Sequence, residues 1–89
     1  MTAPLEKTIQ TGCVKSLEAA GWVVLKVILC NKPGWPDLMA IKGGRVVFIE
    51  VKREGGRLSE LQKLRGDQIR RAGCEWYVVY SVAEMKGII

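Results

Sequence analysis

Residues 45–52 read Arg-Val-Val-Phe-Ile-Glu-Val-Lys, and this run constrains the chain more than any other. Four consecutive apolar residues, 46–49, present hydrophobic surface on both faces of a strand, the pattern of a central strand in a sheet. The run then ends on a carboxylate and an ammonium. Glu50 and Lys52 are two residues apart and share one face, while Val51 points to the other. Opposite charges at the edge of an apolar core cost desolvation, so the pair points to a site. Upstream, Trp35-Pro36-Asp37 supplies a second carboxylate, and Lys42-Gly43-Gly44-Arg45 between the two segments is a hairpin-turn signal. Counting outward from Gly43-Gly44 places Asp37 opposite Glu50 on adjacent antiparallel strands. Like charges there repel unless a cation neutralises them. Mg²⁺ would do so, with the backbone carbonyl of Val51 as a third oxygen ligand. The chemistry expected of this set is phosphodiester hydrolysis, with Lys52 orienting water or offsetting transition-state charge.

Each residue also has an ordinary explanation. Asp37 after a proline fits an Asx turn or a strand-end cap. Glu50 could form a salt bridge with Lys52 or Lys42. Neither explanation accounts for both carboxylates at one register.

The rest of the chain supplies elements on either side. Leu5, Ile9, Cys13, Leu17 and Ala20 recur at helical spacing, with Pro4 suited to the first turn and Gly21 to the C-terminus. Residues 22–29 are β-branched, aliphatic or aromatic apart from Lys26 and read as a strand. Cys30 to Trp35 is a loop by its Asn, Pro and Gly. Pro36 can only begin a strand, so residues 37–41 follow as a short one. Residues 46–52 are the next strand, and 53–58 a glycine-containing loop. Ser59 and Gln62 form a capping-box pair opening a helix, with Leu61, Leu64, Gln68 or Ile69, and Ala72 as its periodic positions. Gly73 ends it, residues 75–80 are a last strand, and Ser81 with Glu84 opens a short terminal helix. The order is α-β-β-β-α-β, an α/β chain whose 89 residues allow one domain, residues 1–89.

Composition sets the remaining bounds. Fourteen Lys and Arg against nine Asp and Glu leave a net charge of +5. Assigning carboxylates to a metal leaves the other surface more basic still, which suits a polyanionic partner. An ordinary soluble protein of high pI is the competing reading of the charge alone. There is no histidine, and Cys13, Cys30 and Cys74 form no CxxC pair, so a zinc site by the usual spacings is excluded. An odd cysteine count without disulfide spacing fits a reducing, cytoplasmic setting, with Cys13 and Cys74 as small buried hydrophobes. No signal peptide and no apolar run of membrane-spanning length is present.

Pro36-Asp37 followed by Glu50-Val51-Lys52 resembles the signature of the PD-(D/E)XK nuclease superfamily. The fuller set is similar to one branch, the virus-type replication-repair nuclease (VRR-NUC) domain. It comprises Gly34-Trp35-Pro36-Asp37, Phe48-Ile49-Glu50-Val51-Lys52, Leu58-Ser59 with Gln62, and Glu6 in the first helix. The resemblance covers about residues 5–81. It implies a restriction-endonuclease-like αβββαβ core, a mixed central sheet flanked by helices. It also implies Glu6 and Gln62 at the margin of the active site, Glu6 tied to metal directly or through water. Trp35 is bulkier than the residue often found there and would narrow the cleft or stack on a base. Mg²⁺ is the expected cofactor, with Mn²⁺ as a substitute.

Two of these roles compete with simpler ones. Glu6 suits a helix N-terminus as any acid does, and Gln62 is already occupied by the capping box. Lys32, Arg53, Arg57 and Lys63 are candidates for nucleic-acid contacts. Arg70 and Arg71 end a helix and complement its dipole.

The function expected is a Mg²⁺-dependent DNA endonuclease. The resemblance implies branched or four-way DNA, a homodimer like a Holliday-junction resolvase, and a phage or mobile-element setting in replication and repair. A nucleic-acid-binding module that does not cut, and a structural protein with an incidental acidic cluster, are the alternatives. Apolar residues in 22–29 and in Trp76-Tyr77-Val78-Val79-Tyr80 exceed what one small core needs, so both strands are candidate dimer surfaces.

Overall fold

A computed structural model describes residues 3–89. The chain runs α1 (Glu6–Ala19), β1 (Val23–Lys26), β2 (Leu38–Lys42), β3 (Arg45–Val51), α2 (Glu60–Arg71), β4 (Glu75–Val79) and α3 (Val82–Ile88). The strands form one sheet in the order β1-β2-β3-β4, antiparallel across the first two junctions and parallel between β3 and β4. The fold is α/β with a mixed sheet, and β3 is a central strand, as its two-sided apolar pattern requires.

The β2–β3 turn sets the register on which the site depends. Gly43 and Gly44 both have positive φ (56° and 80°), the backbone of a two-residue hairpin loop whose twist matches its strands. Lys42 therefore pairs with Arg45, and the ladder runs out to Leu38 opposite Ile49. The next pair outward is Asp37 and Glu50. Across β3–β4, Arg45 holds Glu75 through two parallel hydrogen bonds of 2.9 and 2.7 Å. This contact pins the parallel strand at its outer end.

Alternation divides the core. Ile9, Cys13 and Leu17 of α1 and Met85 of α3 pack on Leu38, Ala40, Val47, Ile49, Val51 and Val79. On the other face, Ile69 of α2 covers Phe48 and Trp76. α2 lies over β4, not over β1 and β2.

Several expectations are corrected. The strand expected over 22–29 stops at Lys26, and Ile28 and Leu29 stand out in solvent, 85% and 92% exposed. Leu5 and Ala20 are exposed, so the buried stripe of α1 is Ile9-Cys13-Leu17. In α2, Leu61 and Leu64 are exposed, Leu61 lying against Gly34, while the expected Ile69 and the unexpected Gly66 face the sheet. Gly66 is a contact residue: a Cβ there would lie 2.4 Å from the Trp76 ring. Periodicity missed this position because a glycine carries no hydrophobic signal. The capping box of Ser59 and Gln62 forms in both directions. At α3 only half of one forms: the Ser81 hydroxyl accepts from Glu84 N–H, but the Glu84 carboxylate accepts from Tyr80 N–H. Cys13 is fully buried, Cys74 half-buried, and all three thiols are free.

Candidate metal centre

Three carboxylates from three elements converge. Glu6 opens α1, Asp37 immediately precedes β2, and Glu50 lies in β3. One carboxylate oxygen from each lies within 4.8 Å of those of the other two. Asp37 is fixed twice. Its main-chain carbonyl accepts from Val27 N–H at 2.8 Å, extending the β1–β2 ladder by one rung. Its side-chain Oδ2 accepts from Val51 N–H at 2.8 Å. Pro36, buried opposite Val51 in register, has no N–H to donate to the Val51 carbonyl, and Val51 N–H is satisfied by the Asp37 side chain rather than by a β2 main-chain carbonyl. N–H and C=O of one residue face the same edge of a strand, so the Val51 carbonyl also faces the Asp37 side.

The loop that delivers Asp37 is tightly held. Gly34 has φ 79°, and a Cβ there would lie 2.8 Å from Leu61. Arg65 of α2 donates to the Pro33 carbonyl at 2.9 Å. Trp35 packs edge-on against Phe48, ring centroids 5.4 Å apart, closing the second core.

Glu50 is 1% exposed, the one buried charged residue among those described. Burial pushes its carboxyl up to about 9, and the neighbouring Asp37 carboxylate adds to the shift by hydrogen bonding and by charge. Lys52 opposes the shift and Glu6 reinforces it, so both charges reach the Glu50 carboxyl. A single lysine does not offset the burial and the two carboxylate neighbours. Such a set is incomplete electrostatically, and three hard oxygen donors fit a divalent cation.

The other expected residues fall less centrally. Gln62 Oε1 accepts from Ser59 N–H at 2.9 Å, so its oxygen is engaged in the cap and its amide N–H groups remain. Arg53 and Arg57 are exposed in the loop after β3. Lys32 is exposed on the loop before Trp35 and lines an apolar groove with Leu25 and Ile28. Lys63 pairs with Glu60 at 3.2 Å on the outer face of α2. The Val51 N–H bond to Asp37 was not read from sequence. Part of the signal was available: a proline opposite a strand residue cannot donate to that residue's carbonyl, which frees the Val51 carbonyl but does not foretell the bond from its N–H.

A family model of the VRR-NUC domain matches residues 10–83. The chain belongs to the VRR-NUC domain family. A solved structure described as a VRR_NUC domain superposes with a TM-score of 0.83 at 27% identity, covering 93% of this chain and 91% of that one. No curated protein matched the sequence. The chain is therefore a nuclease-type domain, and the αβββαβ order and mixed sheet expected of that family are present.

Proposed function

We propose that this VRR-NUC domain is a Mg²⁺-dependent DNA endonuclease in which Asp37, Glu50, the Val51 carbonyl and Glu6, directly or through water, hold the ion. The observation that carries the reading is the convergence of Glu6, Asp37 and buried Glu50 beside Lys52. A bound divalent cation would supply Lewis acidity toward the scissile phosphate. The protein's own groups do the rest. Asp37, anchored by Val51 N–H, fixes the position of the carboxylates. Lys52 faces the charge that builds on phosphorus in the transition state. The chain has no histidine, so proton transfer falls to the carboxylates. Gln62 lies at the margin, its amide N–H groups available to substrate.

Branched or four-way DNA and a homodimer belong to the same proposal. The face left bare by α2 supports the dimer. Leu25, Ile28, Leu29, Trp35, Met39 and Phe48 line an apolar groove of about 450 Å³ along edge strand β1. β4 contributes less than expected, because Trp76 and Val79 are buried within their own chain. Two-fold pairing along β1 would present two sites to a two-fold substrate.

The deciding experiment is cleavage of linear, single-stranded, flapped and four-way DNA with Mg²⁺, with Mn²⁺ and with chelator. Cutting should require metal and favour the four-way substrate, and Asp37→Asn and Glu50→Gln should abolish it. Persistent cutting by both variants would remove the site assignment. Metal-independent binding without cutting would favour the non-cleaving module.

A further inference from the structure

The cations divide into two sets. Arg45, Lys63 and Arg71 are paired with Glu75, Glu60 and Asp67. Arg70 donates to the Trp76 carbonyl and lies over its ring, Arg65 donates to Pro33, and Lys42 closes the end of α1 at the Ala20 carbonyl. Lys7, Lys15, Lys26, Lys32, Lys52, Arg53, Arg57 and Lys86 have no such partner among the described residues, and all but Lys52 are exposed.

Of these, Lys7, Lys15 and Lys26 surround one feature. A groove of about 280 Å³ lies between α1 and β1, lined by Gln10, Thr11, Val14, Lys15, Glu18 and Lys26. An adjoining hollow shares Thr11 and Lys15 with it and adds Lys7 and Thr8. The groove starts beside the carboxylates: Gln10 is one helical turn from Glu6 on the same face, and Lys26 pairs with Leu38, next to Asp37. From Glu6 to Lys15 is roughly 14 Å along the helix at about 1.5 Å per residue. A duplex rises about 3.4 Å per base pair along its axis, so that length matches about four base pairs of axial rise. Glu18, the one carboxylate lining the groove, marks the end away from Glu6.

We infer that the groove between α1 and β1 is the track of the DNA strand on one side of the scissile phosphate, with Lys7, Lys15 and Lys26 contacting backbone phosphates. This rests on the nuclease reading above and assigns part of its substrate path. Apart from Val14 and the Glu18 carboxylate at its far end, the groove is lined by two cations, a hydroxyl and an amide, groups that contact a polyanion through its backbone.

Two charge-matched double variants test it: Lys15→Ala with Lys26→Ala, and Arg71→Ala with Lys86→Ala. Each removes two exposed cations. DNA affinity and cleavage are measured against salt concentration. The groove variant should bind more weakly and lose about 1.4 to 1.8 units of log–log salt slope. The control should keep the parental slope. Neutral methylphosphonate linkages on one side of the cut should weaken the parent and leave the groove variant little changed. Equal slopes for the two doubles, or parental binding indifferent to methylphosphonates on both sides, would overturn the groove. A parent that neither binds nor cuts DNA would remove the nuclease reading itself.

Discussion

Glu50 is the buried charged residue among those described. Without metal its carboxyl titrates at about 9 against 4.5 for an unperturbed glutamate, chiefly through burial. The folded form then holds a proton that the unfolded chain has released, so stability present at low pH declines as pH rises from about 5 to about 9. Glu50→Gln removes that titration. In chelator, the parent's melting temperature should fall over this window while the variant's stays comparatively flat, and Mg²⁺ should raise the parent's more. Parallel pH curves would contradict the assignment. Asp37 separates charge from anchoring. Asp37→Asn keeps an oxygen for Val51 N–H, whereas Asp37→Ala orphans that donor. Asp37→Ala should therefore be less stable than Asp37→Asn by about 1–3 kcal/mol in denaturant unfolding. The proposed transition-state role of Lys52 predicts that Lys52→Ala lowers turnover far more than DNA affinity. Parental turnover at saturating DNA would refute that role.

α2 shows how an element can be located correctly and its buried face read only in part: Ile69 is among the expected positions and is buried, whereas Leu61 and Leu64 are exposed. Ser59 and Gln62 fix its start through the reciprocal cap. Its buried side is set by Trp76, which needs a residue without a side chain opposite it, and Gly66 meets that need. Gly66→Ala gains about 1 kcal/mol of helix propensity. It also drives a methyl into the indole, and overpacking costs about 1–3 kcal/mol. The expected result is a lower melting temperature with the Trp76 fluorescence altered; a more stable variant would show that the ring moves aside freely. β1 was read as twice its observed length. Val27 to Leu29 have the composition of a strand, but β2 begins only at Leu38, and one further rung, Val27 N–H to the Asp37 carbonyl, is all it provides.

For the whole molecule, exposed apolar surface is concentrated along β1 and the residues after it: Val23, Leu25, Ile28 and Leu29. An edge strand so furnished is a template for pairing. Sedimentation equilibrium should give a dimer of the 9.9 kDa chain. Ile28→Asp with Leu29→Asp should give a monomer that retains the fold. A parent that stays monomeric at all concentrations would remove the dimer and leave the metal centre untouched.

The sequence by itself determined the element order, the β2–β3 register and the Asp37–Glu50–Lys52 set. All three follow from local rules: side-chain alternation, a two-glycine turn, and capping residues at fixed spacing. Glu6 entered by resemblance, because nothing local distinguishes it from any acid at a helix start. The tertiary structure decided that α1 sets its first turn against the end of the sheet, bringing Glu6 to the other two carboxylates. It also decided the face of α2, the free end of β1 and the sorting of cations into engaged and unengaged sets. These depend on which surfaces meet across the chain, and no spacing along a sequence encodes a contact between residues 66 and 76 or between residues 6 and 50.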